Sequence, residues 1–453
     1  MIDKAYIVNV LEGAKNPSME EIQDILVRAK KREALSHHDI ACLLNAKDPK
    51  QIEEIHDIAG QLKEEIYGSR VVMFAPLYIS NFCVNNCLYC GYRRDNNFSR
   101  MKLTQEEIKN QAILLEKLGH KRLALEVGEA PKETPIDYVI ESIKTIYENS
   151  SIRRINVNIA ATSVEDYKKL HEVGIGTYIL FQETYDKEMF TFAHPRSLKG
   201  NYDYHLHAFD RAIEAGIDDV GAGVLFGLAD YKFEVLSLII HNQYLEEKYG
   251  FGFHTISVPR LKKAEGMNLE DFPHVISDDE FKRIVTVLRL AVPYVGLILS
   301  TRETKEIREE LINQGVSQIS AGSKTDVGGY HEEHVEYEHD QFELSDERTV
   351  LEVNKDLIKR GLIPSYCTAC YRKGRTGDRF MELAKKGTIG LICEPNALMT
   401  LTEYILDYGD KDLKENGLAF VREHAETIKN QKVKDKLKEN IERIVSGERD
   451  LFF

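Results

Sequence analysis

Eight short segments rich in apolar and β-branched residues recur between residues 71 and 323: VVMFAPLYI (71–79), RLALEVGE (122–129), RINVNIAAT (154–162), TYILFQET (177–184), DVGAGVLFGL (219–228), HTISVPRL (254–261), VGLILSTR (295–302) and VSQISAGS (316–323). Helical patterns lie between them. Thr104 and Glu107 form a capping box ahead of an apolar face at Ile108, Ala112 and Leu115. Val164, Tyr167 and Leu170 give a second such face, with Gly174 as its C-cap. Ser277 and Glu280 open a third helix that carries Phe281, Ile284 and Leu288 and stops before Pro293. Eight strands alternating with helices imply an α/β fold, a (β/α)8 TIM-type barrel. A doubly wound open sheet shows the same alternation, but eight units is the barrel's count.

The chain has 453 residues, enough for one large barrel with extensions. Residues 1–69 read as an N-terminal helical extension and 70–330 as the barrel. Residues 331–453 read as a connector and a mostly helical C-terminal domain. The connector HEEHVEYEHDQFELSDE (331–347) has no ligand-like spacing and reads as a solvated charged loop.

Charged residues make up 30% and hydrophobic residues 43% of the chain, an ordinary globular balance. A net charge of −14 argues against nucleic acid and anionic membranes as partners. The longest apolar run, VVMFAPLYI, is far too short to cross a membrane. The start MIDKAYIVNVLEGAK has an early acid and no apolar core, so no secretory signal is expected and the location is expected to be cytoplasmic. Thiols stay reduced there. The cysteine count of seven is odd, so metal or redox chemistry is the stronger reading than disulfides.

Three of those cysteines, Cys83, Cys87 and Cys90, fall in CVNNCLYC directly after the first strand segment. In a barrel that loop lies at the C-terminal face, where active sites are built. Three thiolates hold three irons of a 4Fe–4S cube and leave the fourth for an external ligand. A zinc loop with a distant fourth ligand is the alternative. A second triad, Cys367, Cys370 and Cys393, lies in CTACYRKGRTGDRFMELAKKGTIGLIC. Its spacing alone fits a second open cluster or a Cys3His zinc site, with His424 the nearest downstream histidine. The seventh cysteine, Cys42, sits among apolar residues in HHDIACLLN and reads as a buried structural thiol.

CxxxCxxC after a first barrel strand, with aromatic Tyr89 before the last cysteine, resembles the radical S-adenosylmethionine (SAM) superfamily. That resemblance implies that SAM binds the open iron, and it points to Tyr89, Glu129, Gln182 and Glu183 as cofactor-binding residues. Glu129 ends VGE where the superfamily usually has GGE, so Val127 is a departure. Over residues 30 to 410 the chain resembles one family more closely, the radical SAM tyrosine lyases that mature the iron-only (FeFe) hydrogenase site, the HydG family. The carriers are FAPLYISNFCVNNCLYCGY, LFQETYD, DDVGAGVLFGL, HTISVPRL, LSTRE, SAGSKTDVGGY, CTACYRKGRTGDRFM and CEPNAL. The barrel motifs also fit the thiazole-pathway tyrosine lyase, which lacks the C-terminal triad.

The resemblance implies two 4Fe–4S clusters, SAM, and an additional iron with cysteine at the C-terminal cluster. L-tyrosine is cleaved at Cα–Cβ to p-cresol and dehydroglycine, and dehydroglycine becomes carbon monoxide and cyanide at the second cluster. Ser300 and Arg302 are implied to bind the tyrosine carboxylate, and His254 to ligate the extra iron. Ser323 and Lys324 are expected to line the cavity. A ferredoxin- or flavodoxin-type reductant and other hydrogenase maturases are the expected partners. A lyase that stops at dehydroglycine and a non-catalytic iron–sulfur scaffold are the competing readings. The barrel interior is expected to serve as a closed channel between the two centres. That channel requires the C-terminal domain to cap the C-terminal mouth, and triads at opposite ends would count against it.

Overall fold

A computed structural model describes residues 1–331, 341–385 and 390–453. Eight parallel strands close into a barrel: β1 (Arg70–Ser80), β2 (Arg122–Val127), β3 (Arg154–Asn158), β4 (Tyr178–Glu183), β5 (Val220–Val224), β6 (Thr255–Ser257), β7 (Gly296–Leu299) and β8 (Gln318–Ser320). β8 pairs with β1 and β1 with β2, so the ring has no free edge. Seven strands fall within the segments expected from sequence, and β1 extends one residue beyond its segment at each end. The open-sheet alternative is excluded by the β8–β1 ladder, which joins Val72 to Gln318 and Phe74 to Ser320.

The expected capping boxes are present. Thr104 and Glu107 open the helix Gln105–Lys117, and Ser277 and Glu280 open Asp278–Ala291. The helix Val164–Glu172 runs into Gly174 at φ +78°, a left-handed conformation suited to glycine.

A ninth strand, β9 (Ile363–Ser365), had no sequence expectation. It pairs in parallel with Arg70–Val72, the first residues of β1. Val72 pairs with Gln318 on one edge and with Ser365 on the other. β9 therefore occupies the edge that β2 takes higher up, from Ala75 onward. That position delivers the chain after Ser365 beneath the barrel.

Four helices precede the barrel: α1 (Lys4–Gly13), α2 (Met19–Lys30), α3 (His37–Asn45) and α4 (Pro49–Tyr67). α4 packs on the outer helices Asp278–Ala291 and Lys305–Gln314, burying Ile55, Ile58, Ala59 and Leu62. The C-terminal helices Gly390–Tyr408, Lys411–Thr427 and Gln431–Val445 pack on one another. Among the described residues no helix is long and apolar enough to cross a membrane. Of the connector, residues 332–340 lie outside the described residues.

Candidate active site and a second cysteine centre

The chain leaves β1 at Ser80 and turns at once into the loop that carries Cys83, Cys87 and Cys90. Backbone bonds fix this loop to the ends of neighbouring strands: Val84 N donates to the Glu129 carbonyl at 2.8 Å and Gly128 N to that of Ser80 at 3.2 Å. A Cβ on Gly128 would stand 2.4 Å from the Phe82 carbonyl oxygen, so the middle residue of VGE must be glycine. Val127 stays in the β2 ladder opposite Ser80, which is why the departure from GGE is tolerated.

The three thiols line one cavity at the C-terminal mouth, together with Tyr89, Glu129, Glu183, Ser300 and Arg302. Asn85 Nδ2 donates to Glu129 Oε2 at 2.5 Å, tying the end of β2 to the cysteine loop. Glu183 has φ +66°, rare for a residue with a side chain, at a register shift in β4. This kink sends Glu183 into the cavity, where Lys199 Nζ lies 2.5 Å from its Oε1. Gln182 does not join it. Its Nε2 donates to the Thr184 carbonyl at 3.4 Å, away from the cavity wall.

Tyr89 Oη donates to Nε2 of His194 at 2.7 Å. The direction is set because Nδ1 of His194 donates to the Phe190 carbonyl at 2.7 Å, and burial holds the ring's pKa down at about 3. Arg302 is half-buried, and desolvation lowers its pKa. Its guanidinium lies 3.4 Å from the centre of the Phe342 ring and makes no ion pair among the described residues. Its neighbour Glu303 pairs instead with Arg260, at 2.6 Å. Ser323 lines the cavity, whereas Lys324 is exposed and does not.

Three cavity residues carried no sequence signal. Lys199 is a lone cation in the single helical turn Leu198–Gly200. Gln341 and Phe342 return from the connector to cover the mouth. Gln341 accepts from Tyr78 Oη at 2.8 Å, and its carbonyl accepts from Gly91 N at 3.1 Å. Glu126 is the fourth omission. It lines the cavity on β2, accepts from Asn158 Nδ2 at 2.7 Å, and burial raises its pKa to about 8.

The second triad lies elsewhere. Cys367 follows β9 by two residues, Cys370 sits in the short helix Ala369–Arg372, and Cys393 in the helix Gly390–Tyr408. Residues at the starts of barrel strands surround them. Arg122, first in β2, donates from Nη2 to the Cys367 carbonyl at 3.1 Å. Arg154, first in β3, stacks 3.2 Å from the centre of the Tyr371 ring. Arg70, first in β1, is buried beside the thiols, and a hydrogen bond from Cys370, helped by the Arg70 charge, draws Cys393 towards the thiolate. His254, just before β6, packs its ring 4.2 Å from that of Phe380, and Phe380 in turn contacts Cys393. Burial lowers the His254 pKa, so the imidazole is neutral and able to ligate a metal. His424 bonds within its own helix, to the Phe420 carbonyl at 3.1 Å.

The second triad thus closes the N-terminal mouth of the barrel. The expectation that it caps the C-terminal mouth is wrong, because β9 pairs with the start of β1 rather than its end. Triads at opposite mouths count against the channel on the terms set for it, yet the cavity at the first triad extends through the barrel to Gln318 at the start of β8.

Neither cysteine triad is drawn together as a single zinc ion needs. Zinc holds thiolates at about 2.3 Å, which puts its ligand atoms under 4 Å apart. Among the described residues only Glu21, His38 and Cys42 bring three ligand atoms within 4.8 Å of one another. Neither cysteine triad is so tight. Burial pushes Cys90 and Cys367 up to about 11, so these thiols need a cation to ionise.

A model of the radical SAM superfamily matches residues 77–235, and the biotin and thiamin synthesis associated domain matches 257–363. The 2-iminoacetate synthases of Salmonella typhimurium and Escherichia coli are 31% and 30% identical to the chain. They cover 73% and 78% of it and are themselves covered over 86% and 92%. A crystal structure of HydG, a maturase of the [FeFe]-hydrogenase, superposes with a TM-score of 0.97 at 52% identity, covering 100% of this chain and 99% of that one. The chain belongs to the HydG family of radical SAM enzymes. HydG from Carboxydothermus hydrogenoformans superposes with a TM-score of 0.84 at 39% identity, covering 96% and 97%. As a member of the HydG family the chain is a radical SAM lyase that uses a 4Fe–4S cluster and SAM. A non-catalytic scaffold is thereby set aside.

Proposed function

We propose that this chain cleaves L-tyrosine between Cα and Cβ to p-cresol and dehydroglycine at the C-terminal mouth. Its second centre then converts dehydroglycine to carbon monoxide and cyanide for the iron unit of an FeFe-hydrogenase. The observation that carries the reading is the pair of enclosed cysteine triads, one at each mouth of a single HydG-family barrel.

When bound, the first cluster and SAM supply a 5′-deoxyadenosyl radical. The chain's own residues bind, orient and shield. Cys83, Cys87 and Cys90 would hold the cluster. Tyr89, Glu129 and Glu183 face the same cavity and would hold SAM, with Lys199 fixing the Glu183 carboxylate in place through a short ion pair. Arg302 offers a half-buried guanidinium with no ion pair among the described residues, the group best suited to a substrate carboxylate, and Ser300 adds a hydroxyl to the same cavity. Gln341 and Phe342 cover the mouth and exclude water from the radical. Cys367, Cys370 and Cys393 would hold a second cluster, and His254 the additional iron with cysteine. Gln182 is left without a role in this scheme.

The partners consistent with this chemistry are a low-potential ferredoxin or flavodoxin and the other hydrogenase maturases, in the cytoplasm. A lyase that ends at dehydroglycine, the compound named by the 2-iminoacetate synthases, is the competing reading. Anaerobic turnover of the fully reconstituted chain with SAM, tyrosine, cysteine and dithionite separates the two. The proposal expects p-cresol and carbon monoxide together. p-Cresol alone, with both clusters loaded, would leave only the lyase.

A further inference from the structure

Outside both centres, one more set of side chains has the chemistry of a metal site. His38 and Cys42 lie four residues apart on α3 and so share one helix face. Glu21 reaches them from the first turn of α2. His38 Nε2 stands 3.0 Å from Glu21 Oε1, and Cys42 Sγ stands 3.5 Å from the same Nε2. All three ligand atoms lie within 4.8 Å of one another, the tightest such set among the described residues.

These separations come close to those of a tetrahedral ion, and the 3.0 Å between His38 and Glu21 would have to open by a few tenths of an ångström. With Zn–N and Zn–O near 2.0 Å and Zn–S near 2.3 Å, neighbouring ligand atoms stand roughly 3.3–3.6 Å apart. The donor types also agree, since thiolate, imidazole and carboxylate together suit zinc. Two anionic ligands would neutralise the ion's charge, and His38 would bind as the neutral ring.

The plain alternative is a His–Glu ion pair with a thiol beside it. The neighbouring acid shows what an ordinary ion pair looks like in this place. Asp39 is held by Arg28 through two bonds, at 2.6 and 2.8 Å, and already clamps α2 to α3. The Glu21 set adds a wholly buried thiol to its half-exposed histidine and carboxylate, so the site is open to ions from solvent on one side only. Cys42 has His38 and Glu21 as its hydrogen-bond partners among the described residues.

We propose that Glu21, His38 and Cys42 form a zinc site on the N-terminal extension, with the fourth position left to water, that ties α2 to α3. Binding releases the Cys42 proton to solvent, and no electron moves. The thiol is wholly buried, so the cation must displace its proton as it binds. The site is independent of the lyase chemistry.

The test uses the full-length chain with both cysteine triads already loaded with iron and sulfide. It is equilibrated with Zn²⁺ and freed of unbound metal, and its zinc is then counted. One zinc per chain is expected in the wild type, with an absorption-edge spectrum showing one sulfur and otherwise light ligands. His38→Gln and Cys42→Ser are expected to bind at least tenfold more weakly. His38 is half exposed, so its variant folds even if the Cys42 variant does not, and the iron–sulfur absorption of each reports folding. No retained zinc in the wild type would overturn the proposal. So would equal retention in the folded His38→Gln chain, or a spectrum with two or more sulfurs, because the zinc would then sit in a vacated cysteine triad.

Discussion

Arg122 and Cys367, 245 positions apart in sequence, are joined by a 3.1 Å bond from the guanidinium to the cysteine's carbonyl oxygen. β2 therefore touches both centres: Arg122 starts it beside the second triad, and Glu129 follows its end beside the first. The same bond makes the second triad's position depend on a barrel residue. Arg122→Ala is expected to lose about 1.5–3 kcal/mol of local stability. The iron content and paramagnetic signal of the second centre should fall, while p-cresol formation stays near wild type. Equal loss of both signals would mean that Arg122 serves the barrel as a whole.

Arg302 is expected to act on tyrosine alone. A charge-assisted bond is worth about 1.5–3 kcal/mol, so Arg302→Gln should raise KM for tyrosine roughly tenfold to a hundredfold. SAM binding, measured without tyrosine, should not change. A variant that loses SAM affinity equally would place Arg302 on the cofactor instead.

Gly128 sets the position of the first cysteine loop. A Cβ there meets the Phe82 carbonyl at 2.4 Å and Cys83 Cβ at 3.4 Å. Gly128→Ala should cost about 1–3 kcal/mol through overpacking. It should also lower first-cluster iron selectively, read by iron analysis beside the second centre's signal. Val127→Gly, which restores the usual superfamily spelling, should leave cluster loading unchanged.

The turn that follows Glu183 rests on a buried acid. Glu234 accepts from Thr184 Oγ1 and, at 2.9 Å, from Tyr185 N. Burial raises its pKa from 4.5 to about 8. The folded chain holds that proton where the unfolded chain has lost it. Its contribution to stability is full below pH 4.5 and is lost as the pH rises towards 8. Glu234→Gln keeps the acceptor and removes the titration. Urea unfolding between pH 5 and 8 should show a shallower fall in stability for this variant than for the wild type. Identical slopes would mean that Glu234 is ionised in the folded chain.

The eight barrel strands were legible because each is a compact apolar run bounded by helical periodicity. Both triads were legible because thiol spacing is a local signal. β9 was not, since Ile363, Pro364 and Ser365 are too few to show alternation and Pro364 argues against a strand. Missing β9 sent the second triad to the wrong mouth, because only that pairing tells which end of β1 the C-terminal domain meets. Lys199, Arg70 and Gln341 act through contacts distant in sequence and look locally like any surface polar residue. Gln182 and Glu183 are adjacent, and only the backbone kink decides which of them faces the cavity.

The central claim is that one barrel carries two separate centres working in sequence. It is tested most directly by replacing Cys367 and Cys370 together with alanine and following p-cresol and carbon monoxide from the same anaerobic reaction. The account predicts that p-cresol continues at near the wild-type rate while carbon monoxide disappears. Carbon monoxide persisting in that variant, or both products vanishing while the first cluster remains loaded, would contradict it.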